Sequence, residues 1–150
     1  MKLAEALAER ADLQKRLSQL EHRLNANARV QEGEAPAEDP QALLSELDSL
    51  TARLEELIFR INKTNAAVQD QGESLTQLLA RRDCQKERLR ILRDFLNCAS
   101  QLAARATRSE IRIKSTVPVA DLQKQMDAQS KELRTLDARI QALNWTCELL

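Results

Sequence analysis

The chain has 150 residues, of which 43% are hydrophobic, 31% charged and 2% aromatic, with only two glycines and three prolines. This length fits one domain, and so few helix breakers predict an all-helical protein. Lysine plus arginine and aspartate plus glutamate both number 23, so net charge gives no attraction to nucleic acid or anionic lipid. No apolar run approaches the roughly 20 residues of a membrane span, and the first residues lack a secretion signal, so a cytoplasmic location is expected.

Charge is distributed unevenly along the chain. Residues 31–60 carry eight acidic against two basic residues, and residues 76–114 carry ten basic against four acidic residues. We expect the two stretches to face each other, within one chain or between subunits, because opposite charges set the register of adjacent helices. The alternative is that the basic stretch 81–114 binds phosphate groups.

The first two helices are predicted over residues 2–27 and 40–68. Asp39 followed by Pro40 is a strong helix start, since a carboxylate caps the free N–H groups and proline has no N–H of its own. The seam of the second helix alternates steps of three and four residues, as in coiled coils. Its members are Leu43, Leu47, Leu50, Leu54, Leu57, Ile61, Thr64 and Val68.

The third and fourth helices are predicted over residues 74–106 and 119–147. Arg82 and Gln85 interrupt the apolar stripe of the third helix, and Gln129 interrupts that of the fourth. Between the two helices, Ile111, Ile113 and Val117 alternate with polar residues, which predicts a half-buried strand over residues 109–117. A lone strand needs a ladder partner, either residues 28–31 or another subunit.

These elements predict a mainly α protein in which four long antiparallel helices form a coiled-coil-like bundle with one short β element near residues 109–117. The whole chain, residues 1–150, is expected to form one helical domain. Apolar surface left on the second helix and at the C-terminal end predicts a homo-oligomer, a dimer or larger.

Several short segments together resemble the septicolysin-like family of small bacterial proteins. They are MKLAEALAERADLQKRLSQL, NARVQEGEAPAEDP, INKTN, ARRD, SEIRIKSTV and NWT, in this order along essentially the whole chain. The resemblance implies a helical protein of largely unassigned function, and it supplies no catalytic residues. The family's name points to a membrane-active, pore-forming role.

Polar residues around the turn between the second and third helices form one candidate site. Asn62 and Asn65 end the second helix, and Arg81, Arg82 and Asp83 begin the third. They form either a polar layer that fixes helix register or an anion or small-ligand site, and the polar layer is the preferred interpretation.

Basic residues around the predicted strand, Arg105, Arg108, Arg112 and Lys114, form a second polar cluster. They suit the protection of a strand edge better than RNA binding, because the strand carries no aromatic residues on which bases could stack.

No cofactor or metal is expected, because the single histidine, His22, and the cysteines have no ligand spacing. Cys84 and Cys98 are fourteen residues apart, roughly 21 Å along one helix, so they predict buried reduced thiols rather than a disulfide.

The sequence therefore predicts a non-enzymatic, self-associating helical scaffold or interaction module. The alternatives are a membrane-active protein and a weak anion or nucleic-acid binder, although binding to nucleic acid or to membranes is not expected. The candidate interface residues are Trp145, Leu149, Leu150, Ile111 and Ile113.

Overall fold

The computed structural model of this chain describes residues 1–102 and 111–150. Over these residues the protein is mainly helical, with four helices and a small two-stranded antiparallel sheet. The elements are α1 (Leu3–Ala26), α2 (Pro40–Ala67), β1 (Gln69–Asp70), β2 (Glu73–Ser74), α3 (Leu75–Ser100) and α4 (Val119–Thr146). The predicted fold class is confirmed, and each helix begins within one residue of its predicted start.

The chain divides into two compact units. Unit 1 comprises Met1–Ser74 and Ala142–Leu150, and unit 2 comprises Leu75–Gln141. Each unit is built around a pair of helices, α1 with α2 in unit 1 and α3 with α4 in unit 2. A single domain over all 150 residues stays a prediction.

Helices α1 and α2 form an antiparallel pair in unit 1. Arg53 of α2 binds Glu9 near the start of α1, while Arg23 near the end of α1 binds Glu46 of α2. The residues buried along the two helices are Leu3, Ala6, Leu13, Leu20, Leu43, Leu50, Leu57, Ile61 and Thr64. Burial of these residues confirms the predicted seam of α2.

The connection between α1 and α2 is held by two short polar side chains. Asn27 is buried; its Nδ2 donates to the Arg23 carbonyl at 2.9 Å, and its Oδ1 accepts from the Glu38 N–H at 2.9 Å. Asp39 accepts from the Gln41 N–H at 3.0 Å, which confirms the predicted cap of α2. Satisfied caps of this kind fix where a helix begins and ends.

Residues from both ends of the sequence meet in unit 1. The Leu3 N–H donates to the Cys147 carbonyl at 3.0 Å, and the Leu150 N–H donates to Thr64 Oγ1 at 2.9 Å. Thr64 is fully buried, and its hydroxyl also donates to the Arg60 carbonyl at 2.8 Å. The polar Thr64 therefore fits an apolar seam because its oxygen both donates and accepts a hydrogen bond.

The sheet is a tight hairpin between α2 and α3. Gln69 pairs with Ser74 and Asp70 pairs with Glu73, so only Gln71 and Gly72 make the turn. Both turn residues have positive φ, 53° and 84°. Positive φ at both positions is the requirement of a type I′ turn, whose twist matches that of paired strands.

Helices α3 and α4 form an antiparallel pair in unit 2. Leu89 and Leu96 of α3 and Met126 of α4 form a cluster of buried side chains. Farther along the pair, Arg82 of α3 faces Asp137 of α4, so the two helices run in opposite directions. The partly buried residues around this core are Leu92, Val119, Leu122 and Leu133.

Helix α3 is shorter than predicted. It ends at Ser100 rather than near residue 106, and Ser100 Oγ donates to the Leu96 carbonyl at 2.7 Å. Residues 101 and 102 are non-helical, and the remainder of the predicted end lies outside the described residues. A hydroxyl bonded to a carbonyl of the preceding turn competes with the regular helical pattern, which favours an end at this point.

The predicted strand over residues 109–117 is wrong in its described part, and residues 109 and 110 lie outside the description. Residues 111–117 form no strand, and neither do residues 28–31, the proposed partner. Ile111 is 79% exposed and Ile113 is 50% exposed, so these alternating apolar side chains are not buried as a half-buried strand would require. Ser115 Oγ instead donates to the Val117 carbonyl at 3.1 Å in a local turn before α4.

Candidate functional site

The predicted polar site is divided between the two units. Asn62 and Asn65 belong to unit 1, whereas Arg81, Arg82 and Asp83 belong to unit 2. Within unit 2, Arg82 Nη2 lies 2.8 Å from Asp83 Oδ1, and Arg82 Nε lies 3.9 Å from Asp137 Oδ1. Arg82 therefore sits half-buried between two carboxylates, and this contact favours a structural role for its charge.

A groove between α3 and α4, which we call the basic groove, lies beside this ion pair in unit 2. It consists of two adjacent cavities of about 220 and 370 Å³ that share Gln85 and Glu132. Leu89 contributes to the first cavity and Leu136 to the second, so both have an apolar part. The remaining lining residues are Arg81, Arg88, Gln129, Lys131, Thr135 and Arg139.

Interruptions of the two apolar stripes produce the groove. Gln85 stands on the core stripe of α3 and Gln129 on that of α4, where leucines would fill the space between the helices. Gln129 Oε1 accepts a hydrogen bond from Arg88 Nη1, which holds this guanidinium at the groove. Gln85 Oε1, by contrast, is buried with no hydrogen-bond partner among the described residues.

Charged side chains line the groove. They are Arg81, Arg88, Lys131, Arg139 and Glu132. The sequence named Arg81 as a candidate binding residue and included Arg88 in the basic stretch 81–114, and it missed Lys131 and Arg139. Gln85 and Gln129, which interrupt the apolar stripes of two facing helices, were the sequence signal that could have located the groove.

A second feature of unit 2 is a row of exposed residues on α3, which we call the α3 stripe. Its members follow steps of four and three residues: Cys84, Arg88, Ile91, Phe95 and Cys98. All five are exposed, and Ile91 is 53% and Phe95 44% exposed. The stripe has the spacing of a helix-packing seam, yet no other described segment covers it.

The expectation that Cys84 and Cys98 are buried is wrong, because both lie on the α3 stripe and are exposed. Cys147 is half-buried. Their spacing suited a helix but gave no information on which face of α3 turns toward the core. His22 is exposed.

The three aromatic residues of the protein are all exposed. Phe59 is 67%, Phe95 44% and Trp145 64% exposed. Aromatic side chains bury large apolar areas when they find a partner, and they are enriched at protein interfaces. This exposure is the clearest indication of contact surfaces on the molecule.

The other candidate interface residues differ in their environment. Leu150 and Ile113 are about half exposed, and Ile111 is mostly exposed. Leu149, by contrast, is buried inside unit 1. Arg112 and Lys114 are exposed in a segment without regular secondary structure, and Arg105 and Arg108 lie outside the described residues.

Unit 1 carries its charges in ion pairs between α1 and α2. Arg53 Nε donates to Glu9 Oε1 at 2.7 Å and Arg53 Nη2 to Glu9 Oε2 at 3.0 Å. These hydrogen bonds hold the pKa of Glu9 below its ordinary value. Arg23 likewise lowers the pKa of Glu38 through hydrogen bonds. These bidentate pairs join α1 to α2 through Arg53 and to the loop before α2 through Arg23.

The described part of the chain contains neither a cluster of metal ligands nor a helix that could span a membrane. No group of three or more His, Cys, Asp or Glu side chains in residues 1–102 and 111–150 is arranged to hold a metal ion. In the same part of the chain, none of the helices combines the length and apolar character needed to cross a membrane.

A family model described as a family of unknown function, DUF6847, matches residues 10–149. The crystal structure of a functionally unknown conserved protein from Corynebacterium diphtheriae is similar over the whole chain. The two share 40% sequence identity and a TM-score of 0.92, over 100% of this chain and 99% of that chain. No curated protein matches.

These comparisons correct the resemblance to the septicolysin-like family, which is wrong. The matching family has no assigned function, and the similar structure is described in the same way. The longest segment behind the resemblance, MKLAEALAERADLQKRLSQL, is rich in the common helix-forming residues Leu, Ala, Glu and Arg, which unrelated helical proteins share, and four of the others have nine residues or fewer. The membrane-active role rested on that resemblance and loses its support.

Proposed function

Because the chain belongs to DUF6847, a family of unknown function, we propose a function from its own surface: it is a non-enzymatic interaction module that pairs with a second copy of itself through the α3 stripe. The observation that carries the proposal is the exposure of Ile91 and Phe95 at seam spacing. Large apolar side chains at this spacing are stabilised when a second helix packs on them.

The arrangement of residues on the stripe suits a second copy running in the opposite direction. Ile91 and Phe95 stand at its centre, with one cysteine toward each end. A two-fold axis between Ile91 and Phe95 places each isoleucine opposite the phenylalanine of the partner copy. An interface of this kind uses the same patch on both subunits, as in most homodimers.

Charge also favours the antiparallel arrangement. Arg88 of one copy comes within one helical turn of Asp94 and Phe95 of the other copy, and its long side chain can reach both. It then gains an ion pair and a contact with an aromatic face. Among the described residues Asp94 has one exposed ion pair, in which its Oδ2 lies 3.2 Å from Arg90 Nη1.

The two exposed thiols of the stripe support a reducing compartment. Exposed cysteines persist as thiols in the cytoplasm, whereas oxidising compartments convert them to disulfides. We therefore keep the cytoplasmic location as part of the proposal.

Light scattering of the purified protein at micromolar concentration tests the pairing. The native chain should have twice the mass of one chain, and the double variant Ile91→Glu/Phe95→Glu should have the mass of one chain with unchanged helix content. Leu44→Glu is the matched control, because Leu44 is similarly exposed but lies on α2. A monomeric native protein, or dissociation by Leu44→Glu alone, contradicts the proposal.

Charge exchange and cross-linking test the orientation. Arg88→Glu and Asp94→Arg should each weaken the dimer, and the double variant should recover it. Under mild oxidation an Arg88→Cys variant should cross-link to Cys98 of the partner copy, because antiparallel pairing brings these positions together. A parallel dimer would instead join Cys98 to Cys98 in the native protein.

A further inference from the structure

We propose that the helix pair of unit 1 binds an amphipathic helix of a partner protein, one whose apolar stripe is flanked by lysine or arginine. The binding surface is a shallow groove along one flank of the α1–α2 seam, which we call the flank groove. It belongs to unit 1, whereas the α3 stripe belongs to unit 2. The proposal therefore does not depend on the pairing of two copies through that stripe.

The two flanks of the α1–α2 seam differ. On one flank, ion pairs join the helices, Arg53 with Glu9 at 2.7 Å and Arg23 with Glu46 at 3.3 Å. On the opposite flank the helices leave a cavity of about 390 Å³. The residues that line this flank groove are Leu17, Glu21, Leu24, Asn25, Leu47 and Thr51.

The apolar face of α2 is wider than a single partner helix needs. Leu44 is 43% and Ile58 40% exposed, and each lies two helical turns from Thr51, on the side of the flank groove. Leu47 and Leu54 of the seam are only half-buried. A seam between two helices uses about two of every seven positions, and a third apolar position is typical of a helix with more than one packing partner. Helix α2 thus offers a face for another helix beside α1.

The other end of the seam shows the effect of a covering segment. Ile61, seven residues after Leu54, is 1% exposed. Here the C-terminal residues lie on α2: Arg60 Nε donates to the Leu150 carbonyl at 2.9 Å, and the Leu150 N–H donates to Thr64 Oγ1 at 2.9 Å. The same seam position is therefore buried at this end and half-buried beside the flank groove. A docked helix would remove the remaining apolar area from water.

Charge identifies the flanking residues of the partner. Glu21 lines the groove, and Asp48 and Glu55 are exposed one helical turn after Leu44 and Thr51, at its outer edge. None of these three carboxylates forms an ion pair with another described residue, unlike the carboxylates of the opposite flank. Lysine or arginine beside the apolar stripe of a docked helix supplies the missing opposite charges.

The same charges disfavour a second copy of this chain in the groove. Two copies joined groove to groove would bring Glu21, Asp48 and Glu55 of one copy against those of the other. Arg10 continues the seam position of Leu17, but it does not line the groove and cannot neutralise this set. The distance from Leu44 to Ile58 is roughly 21 Å along α2, so a helix of about 18 residues spans the groove.

Fluorescence anisotropy at constant ionic strength tests the proposal with synthetic peptides of about 18 residues. The first peptide carries leucines at steps of three and four residues with lysines beside them, the second has glutamate for every lysine, and the third is a scrambled form of the first. We expect saturable binding of the lysine peptide, binding of the glutamate peptide weaker by about tenfold or more, and no saturable binding of the scrambled peptide. Absence of binding by the lysine peptide overturns the proposal, and so does equal affinity for either of the other two.

Variants locate the binding. Leu44→Glu should lower the affinity for the lysine peptide by about tenfold or more, with unchanged helix content because Leu44 is exposed. Ile91→Glu/Phe95→Glu should leave this affinity unchanged, so failure of the pairing through the α3 stripe remains distinguishable from failure of the flank groove. If Leu44→Glu instead halves the mass of the native protein, the groove holds a second copy and the proposed partner is wrong.

Charge reversal tests the role of the carboxylates. Asp48→Lys should lower the affinity for the lysine peptide by about threefold to tenfold and raise that for the glutamate peptide. Asp12→Lys is the matched control, since Asp12 is an exposed aspartate of α1 that does not line the groove. An equal effect of Asp12→Lys means that the peptide responds to the net charge of the protein, and this result contradicts the proposal.

Discussion

Units 1 and 2 are both antiparallel helix pairs, and they differ in how completely the two helices close on each other. In unit 1 the seam of α2 is apolar along its length except for Thr64, whose hydroxyl is satisfied. In unit 2 the stripes carry Arg82, Gln85 and Gln129, and two cavities remain between the helices. An uninterrupted seam thus gives a closed pair, whereas polar residues in facing seams leave a groove.

The charges of the two units differ in the same way. Arg53 and Glu9 of unit 1 approach to 2.7 Å with two hydrogen bonds. In unit 2 the carboxylate of Asp137 stays 3.9 Å from both Arg82 and Lys86. The interhelical pair of Arg53 with Glu9 is therefore tighter than the pairs that Asp137 makes in unit 2.

Truncation of the core should show the largest difference between the units. Leu57 in unit 1 is fully buried, and Leu57→Ala should lower the free energy of unfolding by about 3 kcal/mol because it leaves a cavity. Leu89 in unit 2 already borders a cavity, so Leu89→Ala should cost about 2 kcal/mol. Urea denaturation measures both values, and a larger cost at Leu89 would contradict the comparison.

Removal of charge should have a smaller effect that depends on pH. Arg53 holds the pKa of Glu9 below the ordinary 4.5, so the carboxylate stabilises the folded state above that pH. Glu9→Gln should lower the free energy of unfolding by about 1 kcal/mol at neutral pH. The difference from the native protein should shrink as pH falls from 4.5 and disappear below the lowered pKa of Glu9, where its carboxylate becomes protonated.

Asp137→Asn is the matched control in unit 2. Its ion pairs are 3.9 Å long, so the substitution should change the free energy of unfolding by less than about 0.5 kcal/mol at neutral pH. Chemical denaturation at several pH values measures both variants. An effect of Asp137→Asn as large as that of Glu9→Gln would remove the distinction between tight and loose pairs.

The smallest effect is expected in the chain before α4. Ile113 is half exposed and belongs to no strand, so Ile113→Pro breaks no ladder and should leave the melting temperature within about 1 °C of the native value. Leu133→Pro inside α4 is the positive control and should unfold unit 2. A strong loss of stability with Ile113→Pro would restore the predicted strand.

Part of the candidate site was predictable from the sequence. Arg82 was expected in a polar layer or an anion site, and it contacts Asp83 and Asp137. Arg81 lines the groove of unit 2, whereas Asn62 and Asn65 lie in the other unit, and the role of these residues as a site stays a prediction. Lys131 and Arg139 could not be chosen, because their approach to α3 depends on how α4 folds back across roughly 50 residues of chain.

The sequence by itself determined the helices of this protein. Apolar periodicity, the Asp39–Pro40 start and the scarcity of glycine act over a few residues, and these local interactions define helix type and starts. Only the tertiary structure decided which faces stay exposed, where the glutamines of two seams meet and where the sheet forms. Burial depends on contacts between distant segments, so Cys84 and Cys98 were predicted to be buried, whereas α4 packs against a different face of α3.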